Sequence, residues 1–249
     1  MSKNIYGKVV FPARITLDPG IRLIGLSGKK QSGKNTICND IKNFIEEMSG
    51  PEKVVKIYSF ADALKETVCM GMLNLTHEQC FGTDEDKNTL TEYCWDNLPA
   101  EICKKYGHNG TPREGYHEDY MTSREVMQVI GTDIFRKFFS SHVHINATMN
   151  RINKDKPYMA LISDVRFQTE IMAICASGGY NIRLTRNSNS TDSHESETAL
   201  DNLSEKDWDD HNGIIIDNKN LSIEEQSSLA ISYVQGLEYY FEIYPEKKE

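Results

Sequence analysis

The stretch IRLIGLSGKKQSGKNT, residues Ile21–Thr36, decides the fold of this chain. It opens as a short apolar strand, Ile21–Ser27, and continues into a loop whose glycines and lysine have the spacing of a phosphate-binding loop, or P-loop. Apolar residues at helical spacing follow over Gly33–Met48. Glycines let backbone N–H groups turn toward a diphosphate, and the start of the next helix favours an anion. The order strand, loop, helix therefore predicts a nucleotide-binding site at Gly28–Lys34.

Side chains in and beside this loop are candidates for binding a triphosphate. Lys34 is expected to reach the β- and γ-phosphates, where charge develops during transfer. Lys29 and Lys30 are either solvated or, in the case of Lys30, bound to a phosphate. Asn35 stands where the pattern usually has the serine or threonine that holds magnesium, so it either coordinates the ion weakly or binds a metal-bound water. Thr36 can bond the α-phosphate, and magnesium keeps most of its ligands as water and phosphate oxygens, so either alternative leaves a working site.

Composition narrows the class of function. The formal net charge of the 249 residues is -9, which argues against a general nucleic-acid or anionic-membrane binder, because such proteins present a basic face. Small phosphorylated substrates stay compatible, because a local cluster of Lys, Arg and backbone N–H groups can hold them. The N-terminal residues lack the apolar core of a signal peptide, and no apolar run is long enough to span a bilayer, so a cytoplasmic location is expected. The six cysteines form no C-x-x-C pair and are expected to be reduced thiols.

Apolar strands alternate with helical stretches along the chain. The predicted strands are Ile21–Ser27, Val54–Phe60, Tyr158–Ser163, Tyr180–Thr185 and Gly213–Asp217. The predicted helices are Gly33–Met48, Ala61–Leu73, a long one from a capping box at Thr122–Glu125 to about Phe139, Gln168–Ala176, and a last one from a capping box at Ser222–Glu225. Such alternation means a mostly parallel sheet with helices on both faces, in three layers. The fold class predicted is α/β, as a single domain over residues 1–249.

Two polar segments interrupt this alternation. Residues 75–120 have weak periodicity and are predicted to be an insertion with one short helix near Leu98–Tyr106. Residues 186–212 are rich in Ser, Asp, Asn and His, a composition that suits a mobile lid. The first segment is expected to shape an acceptor pocket, and the second to close over the donor.

Charged residues follow two of the predicted strands at the edge where open α/β sheets bind ligands. Asp164 can hold a metal-bound water or a substrate hydroxyl, and Arg166 can bind an acceptor phosphate with two hydrogen bonds. The alternative is that Asp164 caps a helix and Arg166 is exposed. Arg186 begins the lid-like segment and can clamp the triphosphate. Arg124 and Arg136 are weaker candidates, because lone helix arginines are usually solvated.

Taken together, these features resemble the deoxynucleoside monophosphate kinases of double-stranded DNA phages, within the P-loop nucleotide kinase superfamily. The pieces that carry the resemblance are GLSGKKQSGKNT at Gly25–Thr36, FADALKE at Phe60–Glu66, FGTDEDKNTLT at Phe81–Thr91, MTSREVMQVIGTDIFRKFF at Met121–Phe139, ISDVRFQTEIMAICASGG at Ile162–Gly179, SHESETALD at Ser193–Asp201 and IIDNKNLSIEE at Ile215–Glu225. Members often carry Gly-Lys-Asp-Thr where this chain has Gly-Lys-Asn-Thr. The resemblance thus implies that family members commonly lack a serine or threonine hydroxyl at the position of Asn35.

The resemblance implies direct in-line transfer of the ATP γ-phosphate to a nucleoside monophosphate, with magnesium and without a phosphoenzyme. It implies a place in deoxynucleotide synthesis, in the host cytoplasm if the chain is phage-encoded. The residues it implies for the donor are Gly28, Lys30, Ser32, Gly33, Lys34, Asn35, Thr36 and Asn218, the last in a turn beside the adenine. Those it implies for the acceptor are Lys65, Arg124, Asp164 and Arg166. Those it implies for catalysis are Lys34, Asp164, Arg166 and Arg186, with Asn35 as the magnesium contact.

Other functions share parts of this pattern. Dephospho-coenzyme A kinases and animal-type phosphomevalonate kinases have the same loop type and a strand followed by Asp-x-Arg. A non-catalytic ATP-binding module is a third alternative, but it has no need for acceptor-side arginines. A nucleotide acceptor should find a stacking ring, for which Phe60, Phe81, Tyr93 and Trp95 are candidates. The sequence leaves open which bases are accepted and whether the protein forms a homodimer.

Overall fold

The computed structural model describes residues 17–18, 20–50, 52–108, 118–186 and 198–243. The chain divides into two compact units, the first comprising Met1–Phe60 with Ile145–Glu249 and the second Ala61–His144. The predicted insertion falls within the second unit. The predicted lid falls within the first, and its residues 187–197 lie outside the described part of the chain.

Most predicted strands and helices are present. Numbered in chain order, the strands of the described residues are β1 Arg22–Ser27, β2 Val55–Tyr58, β3 Leu90–Cys94, β4 Tyr120–Thr122, β5 Met159–Val165, β6 Tyr180–Leu184 and β7 Gly213–Ile216. The helices described for the first unit are Lys34–Ser49, Val143–Asp155 (which starts two residues before the unit boundary), Gln168–Ala176, Glu205–Asp209 and Ile223–Ile243. The Ser222–Glu225 capping box is confirmed, because Glu225 N donates to Ser222 Oγ at 3.1 Å and Ser222 N donates to Glu225 Oε2 at 2.8 Å.

The first unit is built on a five-stranded sheet in the order β2-β5-β1-β6-β7. All its neighbouring strands are parallel, as the alternation predicted. The carboxyl ends of the strands therefore lie along one edge of the sheet. β1 is in the centre, with Ile24 opposite Leu161 on one side and Tyr180 on the other.

Apolar side chains cover both faces of this sheet. In β1, Leu23 belongs to one buried cluster, while Ile24 and Leu26 belong to the other. Residues of a strand point alternately to opposite faces, so both layers of helices pack on the same few strands. Each such side chain stabilises the fold by about 1.5–3 kcal/mol when fully buried.

The second unit contains helices with an unusual hydrogen-bond pattern. The predicted helix at Ala61–Leu73 is a π-helix at Leu64–Met70. The predicted long helix after Thr122 begins as an α-helix, Ser123–Gln128, and continues as a π-helix, Val129–Phe139. In the π-pattern, backbone hydrogen bonds join residues five apart, which is rare in proteins.

The short helix predicted near Leu98–Tyr106 is confirmed as Ala100–Lys105, but the prediction that it is the one helix of residues 75–120 was wrong. The described part of this segment has short helices at His77–Phe81, Asp84–Lys87 and Ala100–Lys105, a 3₁₀ turn at Trp95–Asn97, and β3, which pairs antiparallel with β4. The first two helices start at capping boxes that the sequence reading missed, Thr76 with Gln79 and Thr83 with Asp86. Buried Trp95 and its apolar neighbours supply the packing.

Two further findings concern the described residues as a whole. No helix among them is both long and apolar enough to cross a membrane. All six cysteines have free thiols, as expected.

Candidate active site

The loop between β1 and the Lys34–Ser49 helix lies at the centre of the carboxyl edge of the sheet. β1 lies between β5 and β6. The connection from β1 runs to β2 at one side of the sheet, whereas the connection from β6 runs to β7 at the other side, so the strand order reverses next to β1. In open α/β sheets, ligands bind outside the carboxyl ends at such a position. The fold therefore places the predicted phosphate loop where a ligand is expected.

Gly33 gives this loop its shape. It has φ +102°, in the left-handed region that side chains rarely adopt. A Cβ at Gly33 would also lie 2.6 Å from Gln226 Nε2, and one at Gly28 would lie 2.4 Å from Ser32 Oγ. Gly33 is thus required by its backbone angle, and a side chain at Gly28 would displace Ser32 within the loop.

Lys34 lies across the loop from the first turn of its helix. Its Nζ donates to Gly28 O and to Lys29 O, each at 2.7 Å. The pKa of Lys34 is lowered from 10.5 to about 7, first by burial and then by the nearby Arg166 charge, while Asp164 opposes the shift. The charges of Arg166 and Asp164 therefore both act on Lys34, as a shared site requires.

Asn218 holds the loop in place. This residue, the second after β7, is fully buried, and its Nδ2 donates to Ser32 O at 2.8 Å and to Gln226 Oε1 at 2.7 Å. Its Oδ1 accepts a hydrogen bond from Arg186 N at 2.7 Å. The side chain of Asn218 thus links the phosphate loop to the end of β6. That the turn containing Asn218 lies beside the adenine stays a prediction.

Arg186 is bound to the same turn. Its Nη2 donates to Asn218 O at 2.9 Å and to Leu221 O at 2.5 Å, and its Nε donates to Asn218 O at 3.1 Å. These bonds fix the guanidinium against the backbone after β7. Its predicted role as a clamp on the triphosphate stays a prediction.

Asp164 connects two strand ends. One carboxylate oxygen accepts a hydrogen bond from Phe60 N at 2.7 Å, and the other accepts one from Ser59 Oγ at 2.5 Å. Ser59 and Phe60 directly follow β2, whose neighbour is β5. The carboxylate is therefore held rigidly at the edge of the sheet by two donors.

Arg166 follows β5 on a backbone that Glu170 fixes. The buried Glu170 carboxylate accepts hydrogen bonds from Arg166 N at 2.7 Å and from Phe167 N at 3.0 Å. This caps the Gln168–Ala176 helix, so Glu170, and not Asp164, is its capping carboxylate. The alternative that Asp164 caps this helix is wrong.

Arg183 is a site residue that the sequence reading missed. It lies in β6 opposite Ser27, and its Nη1 donates to Ser27 Oγ at 2.9 Å. Its charge also lowers the pKa of Lys34. A signal was present, because the alternation in YNIRL sets Arg183 on the face opposite to Ile182 and Leu184.

Comparisons with known proteins give matches to one family of enzymes. The profile of the family described as deoxynucleotide monophosphate kinase matches residues 114–228. A protein of Acanthamoeba polyphaga mimivirus, provisionally named a deoxynucleotide monophosphate kinase, is 31% identical over 226 residues, which is 86% of this chain and 96% of the relative. The deoxynucleoside-5'-monophosphate kinase of Escherichia phage T5 is 24% identical over 174 residues, which is 59% of this chain and 69% of the relative.

The chain belongs to the deoxynucleotide monophosphate kinase family. It is therefore a phosphotransferase acting on deoxynucleoside monophosphates, and the predicted family, α/β fold class and enzyme class are confirmed. The alternatives of phosphomevalonate kinase, dephospho-coenzyme A kinase and a non-catalytic module are not favoured.

Two predicted acceptor residues of this deoxynucleotide monophosphate kinase lie in the second unit. Arg124 Nη2 donates to Asp84 Oδ1 at 2.7 Å, and Arg124 Nε donates to Asn88 Oδ1 at 3.1 Å, which ties the segment GTDEDKN to the Ser123–Gln128 helix. Lys65 Nζ lies 4.6 Å from the centre of the Phe81 ring. Their contact with an acceptor stays a prediction.

Two of the four candidate stacking rings are not accessible to a base. Phe60 and Trp95 are buried, and Trp95 already stacks on His108 with ring centres 4.1 Å apart. Phe81 and Tyr93 are partly exposed, so they remain candidates in this kinase.

Oxygen donors that suit magnesium lie on the first turn of the Lys34–Ser49 helix. The exposed Asn35 offers an amide oxygen, and the half-exposed Thr36 offers a hydroxyl. No group of three His, Cys, Asp or Glu side chains in the described part of the chain could hold a metal ion. This donor set fits a hard cation that keeps mostly water and phosphate ligands.

Proposed function

We propose that this kinase transfers the γ-phosphate of ATP directly to the 5'-phosphate of a deoxynucleoside monophosphate, at the carboxyl edge of the sheet in the first unit. The observation that carries the proposal is Lys34. Its ammonium lies over the β1 loop, close enough to Arg166, Arg183 and Asp164 for their charges to act on its pKa. A cluster of this kind stabilises charge on a migrating phosphoryl group.

The loop is the proposed donor site. Backbone N–H groups from Gly28 to Gly33 would surround the β-phosphate, and Lys34 would exchange its bonds to loop carbonyls for bonds to phosphate oxygens. Lys30 and Thr36 are proposed as further phosphate ligands. Arg186 and the turn at Asn218 are proposed to border the nucleotide.

Magnesium is the proposed metal, and Asn35 is proposed to hold it weakly or through water. The ion would supply charge neutralisation on the donor phosphates. Binding and orientation of the reacting groups are then left to the side chains of the chain itself.

Arg166 is the proposed acceptor ligand at the end of β5, with Asp164 beside it. An acceptor phosphate oxygen would attack the γ-phosphorus in line while the bond to the β–γ bridging oxygen breaks, and ADP leaves. Two hydrogen bonds from Arg166 would orient the acceptor, which is the main way such enzymes accelerate transfer. Acceptor binding by Lys65 and by Arg124, both of the second unit, stays a separate prediction.

The proposed partners are small nucleotides, and nucleic acid and membranes are not proposed as ligands. The proposed location is the cytoplasm, of the host if the chain is viral. The net charge of -9 and the viral origin of the two relatives support this proposal.

A coupled assay of ADP release tests the proposal. The full chain is given ATP and magnesium with each deoxynucleoside monophosphate, each ribonucleoside monophosphate, phosphomevalonate and dephospho-coenzyme A. We expect rapid turnover with one or more deoxynucleoside monophosphates, and its loss when the metal is chelated. Turnover with another acceptor alone, or undiminished turnover after chelation, would contradict the proposal.

A further inference from the structure

One carboxylate beside the phosphate loop pairs with two cations. Asp201 accepts hydrogen bonds from Lys29 Nζ and, at 3.4 Å, from Arg183 Nη2. The three residues come from the loop after β1, from β6 and from the turn at Thr198–Asp201. All belong to the first unit.

Arg183 is anchored independently of Asp201. Its Nη1 donates to Ser27 Oγ at 2.9 Å, and its guanidinium carbon lies 5.9 Å from the centre of the Trp208 ring. Ser27 is buried and is the last residue of β1. The guanidinium is therefore fixed at the start of the phosphate loop.

Lys29 belongs to the loop itself. Its backbone carbonyl accepts a hydrogen bond from Lys34 Nζ at 2.7 Å, while its own ammonium pairs with Asp201. Asp201 therefore pairs with one cation of the phosphate loop, Lys29, and with one cation of β6, Arg183.

Exposure differs among the three side chains. The exposed fraction is 20% for Lys29 and 15% for Arg183, but 38% for Asp201. A partly buried cation needs an anion beside it, whereas a half-exposed carboxylate can return to water. A phosphate has the geometry and charge to take the place of the carboxylate, above all on the guanidinium.

We propose that Asp201 is an exchangeable counter-ion, which holds Lys29 and Arg183 beside the loop and gives them up to a phosphate of the bound nucleotide. Arg183 is then a phosphate-binding residue of this kinase. The inference rests on the proposed function, because it requires the phosphates of ATP to bind at the β1 loop. It predicts that the carboxylate competes with the nucleotide for the two cations.

Isothermal titration calorimetry of the full chain with magnesium and ATP tests this competition. We expect Asp201→Asn to lower the Kd for ATP by about two- to fivefold, the size of one partly exposed ion pair. We expect Arg183→Gln to raise it by about tenfold to a hundredfold, the size of a lost charge-assisted hydrogen bond. Adenosine has no phosphate, so its Kd should not change in Asp201→Asn.

Matched variants separate exchange from a general charge effect. Glu47→Gln removes the same charge from the exposed end of the Lys34–Ser49 helix, so its Kd should equal that of the wild type. Asp201→Glu keeps the carboxylate and should not tighten ATP. If Asp201→Asn does not fold, as judged by circular dichroism, Asp201→Ser makes the same test.

An Asp201→Asn variant that binds ATP more weakly than the wild type, or equally well, would overturn the proposal. Weaker binding would mean that Asp201 only positions the cations. Lys34→Ala keeps this result distinct from a failure of the proposed function. If Lys34→Ala loses turnover while Asp201→Asn does not tighten ATP, the counter-ion proposal alone fails; if Lys34→Ala retains full turnover, the proposed site itself fails.

Discussion

The two units of this chain are stabilised in different ways. In the first unit, a regular parallel sheet brings the ends of five strands to one edge, and side chains such as Asp164 and Asn218 tie those ends together. In the second unit, π-helices and short capped helices pack around Trp95. The difference shows that a regular parallel sheet collects the residues of the proposed site at one edge, whereas the second unit is held by a core of its own.

Replacing Lys34 should give the largest effect. Lys34→Ala should lower turnover on the order of 10³-fold, because it removes the cation that stabilises the migrating phosphoryl group. Steady-state turnover measures the effect, and circular dichroism checks that the fold is intact. Lys154→Ala, on the exposed end of the Val143–Asp155 helix, is the control and should keep wild-type turnover. Full activity of Lys34→Ala would remove this residue from the mechanism.

Replacing Arg166 tests the acceptor side of the same edge. Arg166→Ala should lower kcat/KM for the deoxynucleoside monophosphate by about 10²-fold and leave the Kd of ATP nearly unchanged. Arg166→Lys keeps the charge but not the two parallel hydrogen bonds, so its loss should be intermediate. Equal activity of Arg166→Ala and wild type would show that the acceptor phosphate binds elsewhere.

The pH dependence of ATP binding tests the state of Lys34. Its pKa in the folded protein is lowered to about 7, so the charged form that phosphate prefers is lost as the pH rises above 7. The Kd of ATP should therefore rise between pH 7 and pH 9, by up to about tenfold per pH unit, until the pKa of the bound state is reached. Lys34→Arg stays charged and should show a flat profile over this range. A flat profile for the wild type would refute the lowered pKa.

The same lowered pKa affects stability with the opposite sign. Between pH 7 and about 10.5 the unfolded chain binds a proton on Lys34 that the folded chain has lost. The contribution of this group to the free energy of unfolding therefore rises as the pH rises through this window.

A pair of glycine substitutions separates strain from function. Gly33 and Gly178 both have a positive φ, of +102° and +72°, but a Cβ at Gly178 would meet nothing within 4 Å. Gly178→Ala should lower the free energy of unfolding by about 1–2 kcal/mol through strain alone. Gly33→Ala should lower it by more, because its Cβ also meets Gln226, and only this variant should weaken ATP binding. Urea unfolding and calorimetry measure both; equal ATP affinity for the two variants would contradict the account of the loop.

A substitution in the second unit should have the smallest functional effect. Asp133 is buried in the Val129–Phe139 π-helix and accepts hydrogen bonds from Lys105 at 2.7 Å and Tyr106 at 2.8 Å. Asp133→Asn should lower the free energy of unfolding by about 1–3 kcal/mol and leave the Kd of ATP unchanged. Asp96→Asn, at an exposed site of the same unit, is the control and should change stability by less than about 0.5 kcal/mol. A large loss of ATP affinity in Asp133→Asn would contradict the claim that ATP binding depends on the first unit and not on the core of the second.

The regular half of the fold was predictable because its signals are local. Apolar runs such as Ile21–Ser27 and the capping box at Ser222 depend on neighbours in the sequence, and the structure confirms them. Phosphate-loop glycines also act locally, since Gly33 is needed for a backbone angle.

Other features could not be predicted from the sequence, because they depend on contacts between distant residues or on the register of backbone hydrogen bonds. Asp201 is 172 residues from Lys29, so no spacing in the sequence connects them. The π-helix Leu64–Met70 differs from an α-helix in the register of its backbone hydrogen bonds, i→i+5, which seven residues of side-chain sequence do not reveal. The capping boxes at Thr76 and Thr83 close with Gln79 and Asp86, and they lie in a segment with few apolar residues to mark a helix.

Hydrogen–deuterium exchange of the backbone amides, with and without saturating ATP and magnesium, is the most direct test of where the nucleotide binds. The account predicts that the amides of residues 28–36 exchange about a hundredfold more slowly at an ATP concentration one hundred times the Kd. Amides of the Ala100–Lys105 helix should not change. Protection elsewhere, with residues 28–36 unchanged, would contradict the central claim that the β1 loop binds the phosphates.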